Sequence, residues 1–214
     1  MIEYRFHICA DLTYFLLAHI KVKNAADTYD EDKEEFITPF CALLDEWEQP
    51  YTNYWKKYVD SLEDKKIEVF NSFDQQISKF SSFFDRIYQT TKLNLRIVFS
   101  HSLKKNGRAF SNEGMFYVML PFPDETHLEE EVFFQLIHEC THLMTDPLIP
   151  SIRMDDGSHD TSEYQVLLFD LWLFEKFDAA YAEKYTSWIP KEILDECYNN
   201  LPDDRIAMLK NILS

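Results

Sequence analysis

The sequence predicts an α+β fold: a small antiparallel sheet, a helix carrying H-E-x-x-H, a mostly helical N-terminal region and a helical C-terminus. Three observations predict it. Leu93, Leu95, Ile97 and Phe99 alternate with Asn94, Arg96, Val98 and Ser100, the period of two that marks a strand. Phe70, Phe73, Ile77, Phe80, Phe84 and Ile87 recur at gaps of three and four, the spacing of packed helices. His138-Glu139-Cys140-Thr141-His142 sits inside an apolar run from Phe133 to Met144.

In chain order, Ile2, Tyr4, Phe6 and Ile8 alternate with Glu3, Arg5 and His7, a candidate opening strand. Asp11 caps an expected helix from Leu12 to about Val22. Thr38-Pro39 starts another, with Phe40, Leu43, Leu44 and Trp47 as its stripe, because proline suits the first helical position. Pro50 starts a third, with Tyr54, Trp55, Tyr58 and Leu62 inward. The aromatic stripe from Phe70 to Ile87 reads as one long helix, and as core. Asn106-Gly107 predicts a hairpin after the Leu93–Ser100 strand. Arg108 to Phe110 returns, Ser111 to Gly114 turns again, and Met115 to Leu120 runs out until Pro121 and Pro123.

Next comes a helix from about Leu128 to Thr145. Thr126 and Glu129 fit a capping box, and Pro147 ends it. Val132, Leu136, Cys140, Leu143 and Met144 form its core stripe; Glu131, Gln135, His138, Glu139 and His142 form its polar one. A further apolar helix runs from Glu163 to about Glu183, where Asp160 and Glu163 also fit a capping box. Beyond Trp188-Ile189-Pro190, two short helices flank Pro202-Asp203-Asp204.

A chain of 214 residues suits a single domain, divided here into a helical region 1–90, a core 91–183 and a helical extension 184–214. Hydrophobic residues make up 46% and only three residues are glycine, which excludes a disordered chain. A net charge of −17 repels phosphate backbones and argues against a nucleic-acid partner. The apolar run Leu12 to Ile20 is too short to span a bilayer, and Met1-Ile2-Glu3 lacks a basic start, so no membrane partner and a cytoplasmic location are expected. Cys9, Cys41, Cys140 and Cys197 are scattered without a C-x-x-C, which excludes a zinc knuckle or thioredoxin motif.

The chemistry lies in residues 138–142. Helical residues four apart share a face, so His138 and His142 can hold one Zn²⁺ while Glu139 acts on a water beside it. The plain alternative is two surface histidines on an amphipathic helix.

With uncharged residues at 140 and 141 and hydrophobic ones at 143 and 144, this stretch resembles the zincin metallopeptidases. Thr145 and Leu148 stand where the metzincin branch has its glycine and third histidine, which excludes that branch. The gluzincin branch takes its third ligand from a glutamate on a later helix, and Glu163 follows His142 by 21 residues. His159 and Asp160 compete for that role. The resemblance implies an acidic residue supporting a zinc histidine, yet Leu167 occupies the usual place. Asp170 stands one turn further, with Asp146, Asp160 or a backbone carbonyl as alternatives. No transition-state donor is identifiable: Tyr181 lies too far along its helix, and His159, Tyr164 and Tyr117, closer in sequence to the site, read as packing or loop residues rather than donors. The resemblance further implies that the strand before the metal helix is a sheet edge that pairs with peptides, placing Tyr117, Val118 and Met119 at the substrate. An ordinary buried strand is the competing reading.

It covers about residues 93–183 and implies a zinc-dependent peptidase acting on a peptide or protein substrate, with Glu139 as general base. Two other readings remain open: a non-catalytic acidic interaction or immunity-like protein retaining the zincin fold, and a helical interaction module without metal.

Overall fold

Alternating apolar residues build a four-stranded sheet from β1 (Tyr4–Cys9), β2 (Asn94–Ser100), β3 (Arg108–Asn112) and β4 (Met115–Pro121). The computed structural model describes residues 3–9, 60–103, 106–112, 114–124, 128–148 and 158–213, with isolated positions between 42 and 57. The expected Leu12–Val22 helix and the stripe Phe40, Leu43, Leu44 and Trp47 lie outside the described residues, as do Trp55 and Tyr58. Tyr54, expected inward, is exposed.

The sheet order is β1-β2-β4-β3. β1 pairs parallel with β2, Tyr4 opposite Leu95, and β2 pairs parallel with β4, Leu95 opposite Phe116. Among the described strands, only β3 and β4 are antiparallel, Arg108 opposite Met119. The sheet is therefore mixed, and the expected antiparallel meander does not form. β4 inserts between β2 and β3, so Asn106-Gly107 joins strands that are not neighbours. The hairpin turn is instead the one at Gly114, whose φ of +75° suits a residue without a Cβ. β2, with parallel neighbours on both sides, is buried on both faces through Leu95, Ile97, Val98 and Phe99. That burial is what parallel pairing favours.

The helices bounded within the described residues are α1 (Glu63–Lys79), α2 (Ser81–Thr91), α3 (Glu129–Thr145), α4 (Ser158–Phe177), α5 (Ala179–Trp188), α6 (Lys191–Asn200) and α7 (Asp203–Leu213). The Phe70–Ile87 stripe is split between α1 and α2 by a break at Phe80. The break lets the Phe80 ring pack against Phe133 of α3, Phe174 and Phe177 of α4 and Tyr181 of α5. The expected Glu163–Glu183 helix is likewise two helices. Asp178 ends α4 and caps α5, its carboxylate accepting from the Ala180 amide at 3.0 Å.

Leu128 precedes α3 without a side-chain cap, and Thr126 lies outside the described residues. Glu129 is occupied elsewhere, accepting from Ser72 Oγ and from Gln76 Nε2 (3.1 Å) of α1. Pro147 falls in a 3₁₀ turn, Asp146–Leu148, that closes α3. α3 lies in one hydrophobic cluster with Ile97, Phe99, Phe116, Val118 and Leu120 of the sheet, and with α4 behind it. Val98 and Met119 form a separate cluster on the sheet's other face, with Phe110 and Tyr117 stacked against it. No helix among the described residues is long and apolar enough to cross a membrane.

Candidate metal centre

α3 is buried along most of its surface, yet His138, Glu139 and His142 remain half-buried on the side where α4 approaches. One helical turn separates the two rings, whose centroids are 5.0 Å apart. Glu163 comes from the second turn of α4. Its Oε2 lies 3.2 Å from His138 Nε2 and its Oε1 lies 3.6 Å from His142 Nε2. Each of the three residues offers a ligand atom within 4.8 Å of the others, so His138, His142 and Glu163 could hold a metal ion.

The far side of each ring is also engaged. His138 Nδ1 lies 3.4 Å from Asp170 Oδ2. Asp170 is fully buried; its Oδ1 accepts from Thr141 Oγ1 at 2.5 Å, while Oδ2 is enclosed without a hydrogen bond of ordinary geometry. His142 Nδ1 lies 3.1 and 3.2 Å from the two oxygens of Asp146 and 3.2 Å from Ser162 Oγ. Ser162 Oγ donates to Asp146 at 2.6 Å. Both histidines thus turn Nε2 toward Glu163 and Nδ1 toward a carboxylate. Such outer carboxylates set the tautomer and orientation of a ligating imidazole.

Electrostatics follow from this crowding. Burial pulls the His138 pKa down, but hydrogen bonds to Asp170 and Glu163 and their charges outweigh it and raise it to about 10. His142 is raised too, burial being outweighed mainly by Asp146. Burial raises the Glu139 carboxyl, opposed by the neighbouring His138 and His142. The carboxylates of Asp146, Glu163 and Asp170 thus favour the protonated form of the two rings.

No family model, curated protein or solved structure matches this chain. The site therefore has to be read from its own geometry.

That geometry brings together His138, Glu139, His142, Glu163 and Asp170. Leu167 lines the cleft wall at the place where the resemblance implied an acid. Asp170 reaches His138 from the next turn of α4, the ring lying between it and Glu163. Asp160 is exposed and outside the group. The side chain of His159 lies outside the described residues. Tyr164 donates to Glu196 and Tyr181 to Gln76, so both hydroxyls are committed elsewhere.

The assignment of Tyr117, Val118 and Met119 to the substrate is corrected. β4 is paired on both sides, which leaves no backbone edge to offer. Val118 is fully buried, and Tyr117 and Met119 belong to the cluster on the opposite face of the sheet. Among the described strands, the edge nearest the site is β3. A Cβ placed on Gly107, just before it, would stand 3.3 Å from Glu139 Cγ and Oε1 and 3.1 Å from Leu120. Gly107 is thus a close-approach glycine, and the hairpin signal concealed that role. His138, Glu139, His142 and Glu163 open into a cleft of about 1590 Å³ whose walls include Gly107, Arg108, Gln135, Leu167 and Trp188. The support from Asp146 was readable from its spacing of four after His142. That from Ser162 had no sequence signal.

Proposed function

We propose that this protein is a zinc-dependent peptidase that hydrolyses peptide bonds at His138, Glu139, His142 and Glu163. The observation that carries the reading is one carboxylate facing two Nε2 atoms at 3.2 and 3.6 Å, with Glu139 in the same cleft. Tetrahedral bonds of about 2.0–2.1 Å put neighbouring ligand atoms about 3.3 Å apart, so the donor set fits zinc. Two imidazoles and one carboxylate leave the fourth position open, as hydrolytic sites require.

When bound, zinc supplies a Lewis acid that polarises a carbonyl and acidifies water. The chain's own residues do the rest. Asp170 and Asp146 hold the rings by Nδ1 and keep Nε2 facing the centre. Glu139 is drawn toward neutrality by burial, which suits a carboxylate that accepts a proton from the attacking water and passes it to the leaving amine. β3 ends the sheet among the described residues, and Gly107 brings its start against Glu139. A peptide added along β3 by main-chain hydrogen bonds passes the general base.

The test combines metal analysis with Glu139→Gln. The wild-type protein is expected to carry zinc and cleave members of a peptide library, and Glu139→Gln to keep the zinc while losing cleavage. Cleavage by Glu139→Gln at the wild-type rate would refute the mechanism. Zinc binding with an inert wild-type protein would point instead to a non-catalytic interaction protein.

A further inference from the structure

Gln135 belongs to the polar stripe of α3, one turn before Glu139, and residues four apart on a helix face the same way. It is nonetheless only 9% exposed, and its Oε1 is enclosed with no hydrogen-bond partner. The other buried polar side chains further along α3 are committed: Thr141 donates to Asp170, and Thr145 to the Thr141 carbonyl. Gln135 shares the cleft wall with the apolar Phe116, Leu167 and Trp188 and with the charged Arg108 and Glu139. A carboxamide with an idle end in such a wall lowers the stability of the free protein. A partner arriving through the cleft offsets that loss.

We propose that Gln135 is a specificity-determining residue that selects peptides with an asparagine or glutamine side chain beside the scissile bond. The inference rests on the peptidase reading and names its substrate class. The location follows from the helix, because one turn of about 5.4 Å separates Gln135 from Glu139. The chemistry follows from the wall. Three carboxylates, those of Glu139, Glu163 and Asp146, stand against one arginine, Arg108, in the same cleft and disfavour an acidic side chain. An aliphatic side chain fills the space but leaves Gln135 idle. A carboxamide can turn either its carbonyl or its amide toward a partner, and another carboxamide answers both orientations with a donor and an acceptor.

The experiment uses the zinc-loaded full chain and peptides that differ only in placing Asn, Leu or Asp at each residue flanking the cleaved bond. Asn and Leu are matched in shape, so their ratio isolates the hydrogen bonds. The wild-type protein is expected to favour Asn over Leu by about 10- to 100-fold in kcat/KM at one position, and to reject Asp. Gln135→Leu should invert that ratio and should melt a few degrees higher without substrate, because the idle group is gone. Gln135→Met serves if the leucine variant does not fold. An Asn-to-Leu ratio that neither variant changes, or a wild-type preference for Leu, overturns the role of Gln135. If the wild-type protein cleaves nothing that Glu139→Gln does not, the peptidase reading falls and this inference with it. Glu139-dependent cleavage with an unchanged ratio removes the inference alone.

Discussion

Replacing Asp170 with asparagine tests the centre through a residue that touches no substrate. Asp170 is fully buried, accepts from Thr141 Oγ1 at 2.5 Å and faces His138 Nδ1 at 3.4 Å. Asparagine keeps the shape, and its carbonyl can keep the Thr141 bond. Its amide then faces His138, where the ring also carries a hydrogen on Nδ1 if Nε2 is to bind metal. Two donors meet, and the attraction of the buried carboxylate for the ring is lost. Replacing a group that supports a ligating imidazole weakens metal binding by about 10- to 100-fold. Equilibrium competition against a chromophoric zinc chelator measures the change, with Asp160→Asn as an exposed control expected to behave like wild type. An Asp170→Asn protein that melts normally and binds zinc within about threefold of wild type would refute the claim that Asp170 orients His138.

Other outcomes follow from single contacts. Gly107→Ala pushes a methyl group to 3.3 Å from Glu139 and 3.1 Å from Leu120; kcat should fall about tenfold or more while zinc content, measured by mass spectrometry, stays unchanged. Phe80→Ala removes a fully buried ring from the junction of α1, α3, α4 and α5; it should lower unfolding free energy by about 3–5 kcal/mol in urea titrations. Tyr4, raised by burial and by Asp74, and Tyr181, raised by burial and by Glu130, both ionise only at about 12. Unfolded tyrosine ionises at about 10, so their stabilisation is complete below that pH and is lost as pH rises through about 12. Urea midpoints should therefore drop between about pH 10 and pH 12, where the unfolded chain ionises and the folded protein resists.

Much of the local structure was legible. The period-two alternation located β1 and β2 to within two residues, and Gly114 marked the true hairpin. The apolar body and Pro147 bounded α3 to within one residue at each end. The two-helix ending around Pro202 was also readable. The errors share a cause. The Asn106-Gly107 signal is local, but its neighbours in space are Glu139 and Leu120, reached through the packing of α3 on the sheet. The long aromatic stripe did not reveal the break at Phe80, because the bend is set by rings from three other helices. The Glu129 capping box was a plausible local pairing that lost to Ser72 and Gln76 from α1.

The sequence by itself determined which residues share the candidate metal face, because a spacing of four on a helix places His138 and His142 together whatever surrounds them. Tertiary structure decided what those residues meet. The approach of α4 sets Glu163 between the two Nε2 atoms and Asp170 behind His138. The strand order places β4 inside the sheet and, among the described strands, leaves β3 at one edge. Helical and strand periods are properties of neighbouring residues, whereas helix packing and sheet order depend on contacts between segments far apart in the chain.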